Sequence, residues 1–174
     1  MYAKRNILFL AIFSFLLASC NKMAINSENN YSFAIFSVED DIYGSSNVQL
    51  EKLILSEKPL LSSNDIECYI WNKHQISYSD TVYYRFKTTN DLWRKGFVVT
   101  SDGKRIYWGL FQSSLDSYAS QNPVIMLVPG FHILPPILQI SCNYFNIDCQ
   151  EGEADPRSDQ RIYDALLSEA LICE

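Results

Sequence analysis

Asp102 and Gly103 constrain this chain more than any other pair of residues. They sit within "GFVVTSDGKRIYWGLF", between two β-rich runs, Phe97 to Thr100 and Arg105 to Phe111. A tight hairpin turn needs positive φ at its central residues, and Asp-Gly tolerates it. The stretch therefore predicts two adjacent antiparallel strands joined through Ser101-Asp102-Gly103-Lys104. Tyr107 and Trp108 are neighbours on the second strand and must point to opposite faces. In a sheet buried on one side only one of them belongs to the core. The other is then a candidate partner surface, because exposed aromatic residues favour interfaces. A helix or loop laid over the second face is the alternative.

The remaining pattern is sheet-rich. "FAIFSV", Phe33 to Val38, is a short apolar run ending in the acidic turn Glu39-Asp40-Asp41, and it reads as a strand. Leu50 to Leu55 is a second element. Ser63 or Asn64 caps a short helix beginning near Asp65. His74 to Tyr78 reads as a strand. Ser79 to Thr88 fits both periods. The N-cap Ser79, Asp80 in the first turn and the Val82/Phe86 pair favour a helix over a strand. Pro123 to Pro129 and Ile137 to Ser141 are further strands. Toward the end, Ile162, Ala165, Leu166 and Ala170 recur at helical spacing behind Ser158 or Asp159 as cap. The expected class is α+β, a mainly antiparallel sheet with two or three helices packed on it.

Upstream, Lys4 and Arg5 precede an apolar run of eleven residues, Ile7 to Leu17. A membrane span needs about 20 apolar residues, whereas a run of this length suits the h-region of a signal peptide. The run ends Leu17-Ala18-Ser19-Cys20, which resembles the lipobox of bacterial lipoproteins. That resemblance implies cleavage before Cys20 and attachment of diacylglycerol to its thiol. Residues 1–19 are then a removed leader, residues 20–30 a lipidated cysteine with a flexible polar tether, and residues 31–174 one globular domain. The implied location is the cell envelope, with the domain outside the cytoplasm and membrane contact made through the lipid anchor. Asn21, directly after the anchor, leans toward the outer membrane in a Gram-negative host.

Loss of Lys4 and Arg5 with the leader takes the net charge from −6 to −8. Such an acidic body argues against nucleic acid as a partner and against electrostatic adhesion to anionic lipid. Cys68, Cys142, Cys149 and Cys173 remain. In an exported chain they permit two disulfides in three connectivities, with free buried thiols as the other reading. The short spacing of Cys142 and Cys149 favours a local bridge. Neither the Cys nor the His positions match a zinc spacing, so no metal is expected.

Three segments carry a second resemblance: "KPLLSSNDIECYIWNKHQISYS", "GFVVTSDGKRIYWGLFQSSLDSY" and "DPRSDQRIYDAL". Together they are similar to uncharacterised bacterial secreted and lipoprotein domains that resemble the head subdomain of the first periplasmic domain of SecD/SecDF. The likeness runs from about Leu50 to Leu166 and is most specific where Pro59 to Ile66 pairs with Phe97 to Phe111. It implies a small α+β domain with neither cofactor nor catalytic residues. The four cysteines are not part of the family's pattern, and SecDF's multiple membrane spans are missing here. Only the fold therefore carries over, not translocase function.

The search for chemistry is mostly negative. Ser101 to Lys104 spells S-x-x-K on a hairpin turn, where the serine–lysine pair lacks its helix. Cys68 with His74 makes a weak nucleophile–base pair, and His132 has no carboxylate near it in sequence. Glu39-Asp40-Asp41 and Glu151-Gly152-Glu153 lack calcium-loop spacing and read as solvated turns. The expected function is a lipid-anchored, non-catalytic binding module for an envelope protein or polymer. The alternatives are an envelope hydrolase with dispersed residues and a protective, inhibitor-like lipoprotein.

Overall fold

The hairpin anchors the sheet. In a computed structural model describing residues 31–88, 92–128, 134–152 and 154–173, β5 (Gly96–Ser101) and β6 (Lys104–Gln112) pair antiparallel. Asp102 and Gly103 turn between them at φ 46° and 72°. The leader, Cys20, the tether, His132 and Glu153 lie outside the described residues.

The other strands are β1 (Phe33–Ser37), β2 (Leu61–Ser62), β3 (Ile66–Ile70), β4 (Gln75–Tyr78), β7 (Val124–Met126), β8 (Ile137–Ser141) and β9 (Ile172–Cys173). They form one nine-stranded sheet in the order β2-β1-β5-β6-β7-β8-β4-β3-β9. Pairing is antiparallel except between β6 and β7 and between β3 and β9. The architecture is a sheet-dominant α+β fold with two α-helices among the described residues, α1 (Asp80–Thr88) and α2 (Gln160–Ser168).

Along β5 and β6 the side chains alternate between two cores. Phe97, Val99, Tyr107 and Phe111 join the main cluster, to which α1 adds Val82 and Phe86 and α2 adds Ile162 and Leu166. Val98 and Leu110 face the other way, into a smaller cluster with Val38, Ile42 and Leu53. Trp108, partly buried, packs against that second cluster. The chain between Ile42 and Leu55 thus covers the second face, and Arg105 Nη1 ties it down by donating to the Leu50 carbonyl at 2.6 Å. The covered second face is the arrangement found, and it removes Tyr107 as a partner surface: Tyr107 is only 5% exposed and belongs to the main core. Trp108 keeps a partial exposure against its smaller cluster.

Three local expectations also change. No helix starts at Asp65. Ser62 N and Oγ both donate to Asp65 Oδ2, at 2.9 and 2.8 Å, and the chain makes one 3₁₀ turn, Ser63–Asp65, before entering β3. The Leu50–Leu55 stretch is a 3₁₀ turn, Leu50–Lys52, followed by a single bridge from Leu55 to Val38. Helix α2, capped by Asp159, which accepts from Arg161 N, stops at Ser168, so Ala170 lies beyond it with φ 56°. The reversal there sends Leu171 to Cys173 back along β3.

Gly109 sits opposite Phe97 in the hairpin, and any Cβ there would collide with the Phe97 ring and the Pro123 carbonyl. The ring fills the space and lies 6.4 Å from Tyr107 and 5.2 Å from Phe111. Gly109→Ala is expected to cost about 1–3 kcal/mol through overpacking, measured as a lower denaturation midpoint with an unchanged slope.

Candidate functional site

Near the C-terminal end of β8, one cluster gathers a histidine, a carboxylate, a hydroxyl and a guanidinium. Asp155 caps the 3₁₀ turn Pro156–Ser158, accepting from Arg157 N, and Pro156 supplies a fixed φ at the turn's first position. That geometry folds the Arg157 side chain back. Its Nε and Nη2 grip both Asp155 oxygens at 2.8 Å, while Nη1 donates to the carbonyls of Ile140 at 2.7 Å and Ile147 at 2.6 Å. The Arg157 side chain is 1% exposed.

His74 meets this pair from the other side. It closes the 3₁₀ turn Trp71–Lys73 in the left-handed conformation, φ 49°, which aims its ring inward. Its Nδ1 lies 3.3 Å from the Tyr69 hydroxyl, and its Nε2 lies 3.4 Å from Asp155 Oδ2 and 3.5 Å from Ser158 Oγ. Burial pushes the Tyr69 phenol up, so it stays a donor, and Nδ1 is the acceptor that suits it. Nε2 then carries the proton and donates to Asp155. Ser158 Oγ donates to the same carboxylate oxygen at 3.3 Å.

The order of groups differs from a serine–histidine–aspartate relay. A relay places the carboxylate on one ring nitrogen and the nucleophile on the other. Here carboxylate and hydroxyl share Nε2, and the serine proton points at Asp155. What the arrangement does is hold segments together: β8, the 142–149 loop, the turn before α2 and the turn before β4 all meet at one ion pair, its guanidinium buried and its carboxylate partly so. Burial alone would raise the Asp155 carboxyl. The hydrogen bonds from His74 and Arg157, with the Arg157 charge, outweigh that and hold it well below the usual carboxylate range.

A second site is an open cleft of about 370 Å³ lined by Val38, Glu39, Asp40, Asp41, Tyr43, Trp93, Arg94 and Lys95. Arg94 has φ 63°. Its guanidinium lies 4.1 Å from the Trp93 ring and 4.9 Å from the Tyr43 ring. Arg94 Nε and Trp93 Nε1 both donate to Asp116 Oδ1, at 3.0 and 2.8 Å. Burial would raise the Asp116 carboxyl, but the Ser113 amide, Arg94 and Trp93 bring it below its ordinary value. The opposite wall is acidic. Asp40 Oδ2 accepts from Ile54 N at 2.6 Å and Asp41 Oδ1 from Tyr43 N at 3.3 Å, so this triplet shapes a turn while Glu39 stays exposed. The cleft offers a base-lined wall, an acid-lined wall and aromatic edges, a surface for a polar ligand.

The other residues singled out from the sequence fall elsewhere. Cys68 is bonded to Cys173, and Cys142 to Cys149. Cys68 is therefore no thiol partner for His74, which instead meets Asp155, a residue remote in sequence. Ser101 Oγ donates to the Arg161 carbonyl at 2.8 Å, and Lys104 is exposed. Among the described residues no group of three or more Cys, His, Asp or Glu side chains is placed to hold a metal. No helix among them is long and apolar enough to cross a membrane. Sequence reading missed both clusters, because Arg94 and Arg157 look like ordinary surface bases. The only trace was Asp-Pro-Arg, a turn whose aspartate caps its own arginine.

Comparison with protein-family models, curated proteins and solved structures gives no match to this chain.

Because the folded Asp155 carboxyl titrates below the roughly 3.9 of an unfolded aspartate, its contribution is whole above that value and fades as acid protonates it. Asp155→Asn leaves a buried guanidinium uncompensated. It is expected to cost about 3–5 kcal/mol at neutral pH. It should also flatten the loss of stability below about pH 4, since the titrating group is gone. Denaturant titrations across pH 2 to 7 check both.

Proposed function

We propose that the chain is a lipid-anchored envelope protein that binds another envelope component without catalysis. The observation that carries this reading is the joint pattern of cysteines. Cys20 ends an apolar leader in Leu-Ala-Ser-Cys, and the four cysteines after it are all paired, Cys68 with Cys173 and Cys142 with Cys149. Two structural disulfides suit an oxidising compartment, and one sulfur reserved for acylation suits a membrane anchor. The segments that resemble the SecD head subdomain in sequence lie on β2–β4, on β5–β6 with the loop after it, and on α2 with the turn before it. The cleft between the Glu39–Asp41 turn and Trp93–Lys95 is the place for a ligand, since its polar walls are already held by backbone and ion-pair contacts.

The test is labelling in cells. Wild-type protein is expected to take up palmitate and to start at Cys20 by mass spectrometry, with no titratable thiol after unfolding. Cys20→Ser is expected to stay uncleaved and unlabelled. Normal labelling of that variant refutes the anchor. A photo-reactive residue at Glu39, on the rim of the cleft, should yield a discrete adduct with an envelope protein or with the wall polymer. The same label at exposed Glu57 serves as background, and equal yields at both positions count against the cleft.

A further inference from the structure

Two loops on this domain expose their largest apolar side chains instead of burying them. Leu115 is 74% exposed, Phe145 73% and Ile147 57%. They come from different parts of the chain, and Tyr144 joins them. Its Oη donates to the Ser113 carbonyl at 3.3 Å, its amide to the Ser120 carbonyl at 3.0 Å, and its ring meets Phe145 edge-on at 5.3 Å. We infer that Leu115, Phe145 and Ile147 seat in the surface of the lipid bilayer that carries the anchor; this rests on the lipid-anchored reading above.

The loop is built for that position. Cys142–Cys149 closes it at both ends. Inside, Asn143 Oδ1 accepts from the amides of Phe145 and Asn146, at 3.0 and 2.9 Å. The Ile147 carbonyl accepts from Cys142 N at 3.0 Å and from Arg157 Nη1 at 2.6 Å. Backbone groups satisfied within the loop can enter a lipid interface without stripping water from unpaired donors, the condition that hydrocarbon imposes. The rigid frame also removes the cost of ordering the loop on contact.

The chain outside the described residues selects the occupant. Asn21 to Asn30 reach about 33 Å when extended at roughly 3.3 Å per residue. The tether joins the domain where the Ser32 carbonyl accepts from Asp102 N, and β6 spans about 26 Å from that end to the loop after Gln112, so an extended tether lets an acylated Cys20 share one bilayer with this face. The contact is then intramolecular, at high effective concentration, and even a weak apolar patch is used. No Lys or Arg occurs in residues 113–123 or 142–152, whereas Asp116, Asp148 and Glu151 do. The attraction is therefore apolar, and anionic headgroups do not strengthen it.

The experiment uses the lipidated protein purified from cells and inserted into phosphatidylcholine vesicles. Phe145→Trp, an exposed site that tolerates the change, reports on depth through quenching by brominated acyl chains, with the parent's tryptophans as baseline. Ile147→Trp serves as an independent second reporter. The expected result is a loss of roughly half of the added emission, because interfacial side chains reach about 5–10 Å into the headgroup boundary. Added phosphatidylglycerol should leave that quenching unchanged or weaker. Protein that floats with the vesicles but shows no extra quenching at either site overturns this inference and spares the anchor. A blue shift without quenching means that a protein surface, another copy included, covers the patch, and it also overturns the inference. Protein that fails to float with the vesicles sinks both.

Discussion

A guanidinium taken out of water must find an acceptor for every N–H it carries, and Arg157 does so by drawing distant pieces of chain to itself. Asp155 neutralises its charge through two parallel hydrogen bonds, and the carbonyls of Ile140 and Ile147 take Nη1. Because Ile140 belongs to β8 and Ile147 to the disulfide loop, one side chain fixes how that loop leaves the sheet. Because Asp155 also meets His74, the same charge positions the turn that feeds β4. Removing either partner strands a charge, while both together are satisfied. The network therefore joins four segments at one point.

The sheet solves a different problem, that of having two faces. A strand buried on one side alternates apolar and polar residues, yet β5 is buried along its whole length. The main core takes one face, and the Ile42–Leu55 excursion supplies a second, smaller core on the other. Gly109 shows how tight the first face is, since the Phe97 ring occupies the volume that a side chain would need. The cleft beside Trp93 and Arg94 lies where this cover meets the start of β5.

What the sequence made legible was local. The Asp102-Gly103 turn, the cap at Asp159 and the helix behind Ser79 each depend on residues within a few positions of one another. The helix expected at Asp65 fails for a physical reason. The Ser62–Asp65 contacts that would open a helix are satisfied by a single turn, and Ile66 to Ile70 then find strand partners on both sides in β4 and β9. Strand β9 is two residues long and carries no pattern of its own. Its place comes from the reversal after α2 and from pairing with β3. His74 and Asp155 are far apart in sequence, so their meeting leaves no mark on either neighbourhood. Phe145 and Leu115 carry no local pattern that marks them as exposed, and the fold leaves both on the surface.

The two bridges also have an order. Along the chain the cysteines run 68, 142, 149, 173, and the bonded pairs are nested: Cys68 with Cys173 across 105 residues, enclosing Cys142 with Cys149 across 7. Exported as proposed, the polypeptide is threaded outward from its amino end and presents Cys68 first and Cys142 next. An oxidase acting on thiols as they emerge would join those two and trap β3 against β8. Reaching the native pairing means either that Cys68 waits as a thiol until Cys173 arrives, or that a thiol–disulfide isomerase reshuffles the first bond. On the exported reading proposed above, the short edge strand thus ties maturation of this domain to the redox catalysts of its compartment.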